Sequence, residues 1–151
     1  MFEWQAFADR ETLDEALAAH VVSSLQQRIA QRGTAHLVLS GGSTPINLYS
    51  ILADADVDWS RVVMLLADER WVPADHEDSN ERLVRETLLT GKAKQAQFVS
   101  LLPTPDDEIA NIAGLSTLLG TLPRFDMVLL GMGEDAHTAS LFPCAAALRE
   151  G

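Results

Sequence analysis

The sequence predicts an α/β domain with a mainly parallel, Rossmann-like sheet and helices on both faces. Apolar runs of three to five residues, which suit strands buried on both faces, alternate with longer segments of helical periodicity. A glycine-rich or polar turn directly follows three of these runs, as expected where a parallel strand leads into a helix. No repeat or linker interrupts this order, so residues 1–151 are predicted to form a single domain.

Composition limits the classes of partner. The formal charge of −11 argues against binding to nucleic acid or anionic membranes, because the mean field repels phosphates. A small anionic substrate is compatible with that field if local donors overcome it. The single cysteine, Cys144, excludes an internal disulfide framework, and no signal peptide or long apolar segment is present. We therefore expect a cytoplasmic protein.

The first half of the chain predicts two strands and two helices. Residues 2–7 alternate in polarity, which indicates a peripheral strand. Apolar residues spaced by four from Leu13 to Ile29 predict a helix that Gly33 ends. The run 37–39 is a short buried strand, and a second helix is expected after Pro45, with Thr44 as its N-cap.

The second half continues the alternation. Strands are predicted at 62–66, 97–101 and 127–130, the last of them buried on both faces. One helix is expected to begin at Ser79 or Asn80 and to end at Gly91. Another is expected to begin at Asp106 or Asp107 and to run to about residue 119.

The segment Ser40-Gly41-Gly42-Ser43-Thr44-Pro45 joins a strand to a helix N-terminus. Free backbone N–H groups and the positive end of the helix dipole make such a turn an anion site. The alternative is an ordinary strand-to-helix turn, and the residues alone do not decide between the two. The ending Gly-Lys-Ser/Thr of a Walker A loop is absent.

Asp68 and Arg70 lie directly after the strand 62–66. Arginine suits bidentate contact with a phosphate, and the carboxylate could position water or a substrate hydroxyl. The alternative is an Asp–Arg ion pair that closes a loop. The acidic and histidine residues at 75–78 do not predict a metal site, because four adjacent loop residues cannot all converge on one ion.

The stretch 125–143, FDMVLLGMGEDAHTASLFP, carries the strongest indication of chemistry. His137 follows a strand and a glycine turn, with Asp135 two residues before it, so His137 is a candidate general base. The pattern G-x-G-x-x-A at 131–136 also fits a dinucleotide fingerprint. We reject that interpretation because the acids at 134–135 would lie against the pyrophosphate.

These three motifs, in this order, resemble the signatures of the 6-phosphogluconolactonases, which are relatives of glucosamine-6-phosphate deaminases and ribose-5-phosphate isomerases. The resemblance implies hydrolysis of 6-phosphoglucono-δ-lactone to 6-phosphogluconate, in the oxidative pentose phosphate pathway, without cofactor or metal. It implies that Gly41, Gly42, Ser43, Thr44 and Arg70 hold the sugar phosphate, and that Asp68, Asp135 and His137 are catalytic. The family usually has glycine at the position of Ala136.

The resemblance covers essentially the whole chain, but the chain is shorter than a family member. We therefore expect a C-terminally truncated sequence. Its last strand is expected to expose apolar surface and unpaired backbone, which favours self-association. Basic residues that complete the family's phosphate site are expected beyond residue 151.

Three other functions are weighed. A deaminase or isomerase of the same superfamily is less favoured, because the deaminase signature has Asn-Glu-Pro where this chain has Leu141-Phe142-Pro143. A non-catalytic sugar-phosphate-binding module is the second alternative. A Ser-His-Asp hydrolase is the weakest, since there is no G-x-S-x-G elbow and Ser140 is merely close in sequence to His137.

Overall fold

The computed structural model describes residues 3–104, 106–122 and 124–149, without the side chains at 147 and 149. Its centre is a four-stranded parallel sheet, as predicted, composed of β1 (Ala35–Leu39), β2 (Val62–Leu66), β3 (Gln97–Val99) and β4 (Met127–Val128). The strand order is β3-β2-β1-β4.

Four α-helices accompany the strands: α1 (Arg10–Arg32), α2 (Ile46–Ala53), α3 (Asn80–Thr87) and α4 (Glu108–Thr121). Asp9, Ser79 and Asp107 cap α1, α3 and α4, each by accepting a hydrogen bond from a backbone N–H in the first turn. Gly33 ends α1 in the left-handed conformation, at φ +80°. Short 3₁₀ turns lie at Trp59–Arg61, Ala93–Gln95 and Ala146–Arg149. No helix in the described residues is long and apolar enough to cross a membrane.

The strand order reverses between β1 and β4. The chain moves from β1 outward to β2 and β3, then crosses back to add β4 on the other side of β1. Because crossovers between parallel strands are right-handed, the reversal puts α4 on the face opposite α2 and α3. A reversal of this kind opens a crevice at the carboxyl ends of the two neighbouring strands, where open α/β sheets bind ligands.

The two faces of the sheet carry separate apolar clusters. Leu37 and Leu39 of β1 pack with residues of β2, α1, α2 and α3 in the larger cluster. Val38 points the other way and packs with Leu65 and Val99, with Leu122, just after α4, against them. This alternation follows from the two-residue period of a strand, and it shows why β1 is buried along its whole length.

Asp126 fastens the start of β4 to the rest of the domain. Its carboxylate accepts a hydrogen bond from the backbone N–H of His36, at 3.0 Å, and one from Arg32 Nη1, at 3.1 Å. Arg28 Nε lies 3.6 Å from the same carboxylate. Asp126 thus joins the end of α1 to the starts of β1 and β4. These contacts lie at the amino ends of the strands, on the side of the sheet opposite the crevice.

Two predictions about strands are wrong. Residues 3–7 form no strand, and Trp4 is 82% exposed, so their alternation does not correspond to a buried face; Phe2 lies outside the described residues. The run 127–130 contributes only two residues to the sheet, and Val128 is 47% and Leu130 55% exposed. The reason is position: β4 pairs with β1 on one side, and no strand in the described part of the chain pairs with its other side.

Candidate functional site

A cleft of about 500 Å³ lies at the carboxyl ends of β1, β2 and β4. All three sequence motifs contribute to it, together with the first turns of α1. The polar and glycine residues that line it are Asp14, Ser40, Gly41, Gly42, Thr44, Asp68, Arg70, Asn80, Gly131, Gly133 and His137. We call residues 40–45, 68–70 and 80 the central wall, and residues 131–142 the His137 loop.

The first part of the central wall is the turn between β1 and α2. The hydroxyl of buried Tyr49 donates to the Ser40 carbonyl at 2.6 Å, and burial raises the pKa of that hydroxyl above its ordinary value. Arg10 of α1 donates to the Thr44 carbonyl. The turn is thus held from two sides by groups outside it.

The predicted N-cap at Thr44 is wrong. Pro45 occupies the cap position of α2, and no side chain accepts from the first-turn N–H groups. The proline lies one residue outside the helix, so Thr44 is too far from the first turn to cap it. The Ile46 N–H makes one long hydrogen bond, of 3.5 Å, to the Ser43 carbonyl, and no side chain in the described residues competes with a ligand for the first-turn donors.

The second part of the wall depends on Glu69, whose carboxylate accepts four hydrogen bonds. One oxygen accepts from the backbone N–H groups of Arg70 and Asn80, at 2.8 and 2.7 Å. The other accepts from the Ser79 hydroxyl and the Glu81 backbone N–H, at 3.1 and 2.7 Å. The N-terminus of α3 is thereby occupied, in contrast to that of α2.

Asn80 joins the two parts of the wall. Its Nδ2 donates to the Asp68 carbonyl at 3.1 Å, and its Oδ1 accepts from Arg70 Nη1. A side chain at Gly41 would overlap this amide, so only glycine lets the turn after β1 approach Asn80. The ion pair considered between Asp68 and Arg70 is not seen among the described residues.

The His137 loop presents the imidazole to the cleft. Asp135 Oδ1 lies 2.5 Å from His137 Nδ1, and this hydrogen bond holds the pKa of the Asp135 carboxyl below its ordinary value. The Phe142 ring stacks on the imidazole at 4.8 Å between centroids. Since Nδ1 is bound to the carboxylate, Nε2 is the nitrogen left to exchange protons with a ligand.

The backbone of this loop is tightly turned. Gly133 N–H donates to the His137 carbonyl at 2.8 Å, and a side chain at Gly133 would overlap the imidazole. Ala136 and Ala139 both have left-handed backbone conformations, with φ +66° and +49°. This backbone conformation favours glycine, and alanine adopts it at a cost of about 1–2 kcal/mol.

One side-chain hydrogen bond crosses from the loop to the central wall. The Ser140 hydroxyl donates to Asp68 Oδ2 at 2.6 Å, across 72 positions of sequence. It links the third motif to the second. The loop also bonds to itself, because Thr138 Oγ1 donates to the Gly131 carbonyl at 2.8 Å.

The structure brings most of the predicted site residues into one cleft. Gly41, Gly42, Thr44, Asp68, Arg70 and His137 line it, whereas Ser43 and Asp135 do not; Asp135 is linked to the cleft through His137. In the described residues no three histidine, cysteine or acidic side chains converge as metal ligands.

Sequence reasoning missed the contributions of Glu69, Asn80 and Ser140 to the cleft. The signal that could have found them is their position inside the motifs. Glu69 stands between Asp68 and Arg70, Asn80 follows ten residues later, and Ser140 is three residues after His137. Glu69 lies in the turn after β2, Asn80 is the first residue of α3, and Ser140 lies in the loop after β4.

Comparison with known proteins gives a consistent result. The profile of the family described as glucosamine-6-phosphate isomerases/6-phosphogluconolactonase matches residues 8–151. A 6-phosphogluconolactonase of Pseudomonas putida is 44% identical over 144 residues, which are 95% of this chain and 60% of that protein. One of Mesorhizobium japonicum is 43% identical over 150 residues, covering 99% of this chain and 63% of its own length.

The solved structures agree. A 6-phosphogluconolactonase from Shewanella baltica superposes with a TM-score of 0.89 at 46% identity, covering 95% of this chain and 62% of that one. The chain thus spans about three fifths of the length of the relatives it matches. It belongs to the family of glucosamine-6-phosphate isomerases and 6-phosphogluconolactonases.

Proposed function

We propose that the protein hydrolyses 6-phosphoglucono-δ-lactone to 6-phosphogluconate, as the names of its relatives indicate for them. The observation that carries the proposal is the composition of one cleft. His137, paired with Asp135, faces the same space as Arg70 and the uncapped N-terminus of α2. A base and an anion site are thus available to a single ligand.

The phosphate end of the substrate is assigned to the central wall. Two helices begin beside the cleft, but Glu69 already occupies the N–H groups at the start of α3. No carboxylate in the described residues caps the start of α2, so we assign the phosphate to this helix start and to the turn Gly41–Thr44 that leads into it. Arg70 supplies a positive charge, which a chain of net charge −11 needs locally to attract a phosphate.

The lactone end is assigned to His137 and Asp68. A δ-lactone is an activated ester, so its hydrolysis requires neither a covalent nucleophile nor a metal. His137 Nε2 takes a proton from water while the water oxygen bonds to the lactone carbonyl carbon. The imidazolium then returns that proton to the ring oxygen as the carbon–oxygen bond breaks. Asp135 stabilises the imidazolium, and Asp68 positions the water or a substrate hydroxyl.

The test is lactone hydrolysis followed by pH-stat above the spontaneous rate. Phosphorylated and unphosphorylated gluconolactone are compared in the wild-type protein, in Arg70→Ala and in Arg61→Ala, an exposed arginine outside the cleft. Arg70→Ala should raise KM for the phosphorylated lactone far more than for the other, and Arg61→Ala should change neither. If Arg70→Ala raised KM equally for both substrates, Arg70 would not be the residue that binds the phosphate.

Ammonia release from glucosamine 6-phosphate would overturn the proposal in favour of a deaminase. The predicted partners accompany the proposal: a small sugar-phosphate lactone, and neither nucleic acid nor membrane, on the basis of the acidic charge. The single-domain organisation, the cytoplasmic location and the tendency to self-associate also stay predictions.

A further inference from the structure

Arg70 is held by a neutral group. Its guanidinium is exposed to the cleft, and its hydrogen-bond partner among the described residues is the amide oxygen of Asn80. No carboxylate in the described residues lies within ion-pair distance of it. Within the described residues, the positive charge of Arg70 is therefore not paired with a carboxylate.

Most other arginines of the chain are paired with a carboxylate. Five others in the described residues form ion pairs with acids: Arg10, Arg28, Arg32, Arg82 and Arg85. In a chain with 22 acidic residues against 11 lysines and arginines, carboxylate partners are abundant. A cleft arginine that is bound by an amide instead is consequently a feature that needs a physical reason.

The orientation of the Asn80 amide is fixed by its surroundings. Asn80 is only 2% exposed, and its backbone N–H is bound by Glu69. Because Nδ2 donates to the Asp68 carbonyl, which cannot donate in return, Oδ1 must face Arg70. The amide fills the space that a side chain at position 41 would take.

We propose that Asn80 is the positioning residue that makes Arg70 a receptor for the substrate's phosphate. It fixes one guanidinium nitrogen with a neutral acceptor, so the geometry is set while the charge stays available to an anion. The Glu69 carboxylate accepts hydrogen bonds from the backbone N–H groups of Arg70, Asn80 and Glu81, and it forms no ion pair with the Arg70 guanidinium. The inference rests on the proposed function, since it names the group that Arg70 binds.

The sharpest test is Asn80→Asp, which keeps the shape and the acceptor but puts a carboxylate on Arg70. Binding of 6-phosphogluconate and of gluconate is measured by calorimetry. We expect the preference for the phosphorylated ligand to fall about 10- to 100-fold, the size of a hydrogen bond to a charged group. Asn80→Ala, which frees the guanidinium without neutralising it, should lose less. Gluconate affinity, measured in parallel, should fall less than 6-phosphogluconate affinity in both variants.

A double-mutant cycle separates positioning from mere structural support. In an Arg70→Ala background, neither Asn80 variant should reduce the phosphate preference further, whereas a purely structural role would give additive losses. Thermal unfolding of each variant checks the fold, and if Asn80→Asp does not fold, the cycle with Asn80→Ala decides. Full preference retained in a folded Asn80→Asp protein would overturn the inference.

The outcome also distinguishes this inference from the proposed function. If the wild-type protein binds 6-phosphogluconate and gluconate equally, the phosphate site itself fails, and Asn80 has no phosphate role to play. If the wild-type protein discriminates but the Asn80 variants do so equally well, the site stands and the role of Asn80 fails.

Discussion

The two sides of the cleft are built in different ways. The central wall stands on β1 and β2, whose residues are mostly buried, and it is tied by bonds from Tyr49, Glu69 and Asn80. The His137 loop follows a two-residue edge strand and is held chiefly by its own hydrogen bonds. Its one side-chain hydrogen bond to the central wall, among the described residues, is that from Ser140 to Asp68.

This difference suggests that the central wall serves ligand binding and the His137 loop serves proton transfer. The side assigned to the phosphate is held by groups from several elements, which bond to Ser40, Thr44, Asp68 and Arg70. The side assigned to proton transfer has a locally fixed imidazole, but its distance from the wall depends on few contacts. Binding should therefore be insensitive to changes in the loop, whereas catalysis should respond to changes on either side.

The largest effect is expected for His137→Ala. If His137 is the general base, as proposed, its loss should reduce lactone turnover by a factor of about 10² to 10⁴, while the protein stays folded. Since the central wall is untouched, affinity for 6-phosphogluconate should persist. A pH-stat assay measures turnover, and calorimetry measures the affinity for 6-phosphogluconate. His20→Ala, at an exposed position of α1, is the matched control. Undiminished turnover in the folded variant would exclude His137 from the mechanism.

Gly41→Ala should disrupt the packing of the central wall. Its new methyl group would overlap the Asn80 amide, and overpacking of this kind costs about 1–3 kcal/mol. We expect a lower free energy of unfolding in urea and a reduced preference for the phosphorylated ligand. Gly114→Ala is the control, because Gly114 lies within α4 with open space around it, and there alanine should stabilise. Native stability and preference in Gly41→Ala would contradict the assigned packing.

Ser140→Ala tests the connection between the sides. Loss of its hydrogen bond to Asp68 should lower kcat/KM by about fivefold, corresponding to roughly 1 kcal/mol, and leave 6-phosphogluconate affinity unchanged. Ser140→Thr keeps the hydroxyl and should retain activity. A fall in affinity equal to the fall in rate would show that the bridge also shapes the binding wall.

The smallest effect is expected for Ala136→Gly. Glycine relieves about 1–2 kcal/mol of left-handed strain at φ +66°, but it increases the entropy of the unfolded chain by about 0.4–1 kcal/mol. The net gain in the free energy of unfolding should be between about 0 and 1.6 kcal/mol, with no change in activity. Ala110→Gly in α4 should destabilise instead, since its backbone is helical. Destabilisation by Ala136→Gly would mean that the strain is compensated elsewhere.

The sequence predicted which residues line the cleft better than it predicted the hydrogen bonds between them. Polar motifs after three apolar runs placed Asp68, Arg70 and His137 at strand ends, and parallel pairing brought those ends together. The contact between Ser140 and Asp68 depends on β4 lying near β2 across β1, which follows from the strand order and not from any local pattern. The alternation at residues 2–7 misled because polarity alone does not reveal whether a partner strand exists.

The self-contained turn around His137 has a consequence for how new reactions could arise on this fold. A segment whose hydrogen bonds are mostly internal can be exchanged without rebuilding the sheet beneath it. The two residues that differ between this chain and the deaminase signature named above, Leu141 and Phe142, lie at the end of the His137 loop. On the proposed function, evolution could thus alter the chemistry performed on a sugar phosphate by changing one short stretch, while the central wall proposed to bind the phosphate is inherited unchanged.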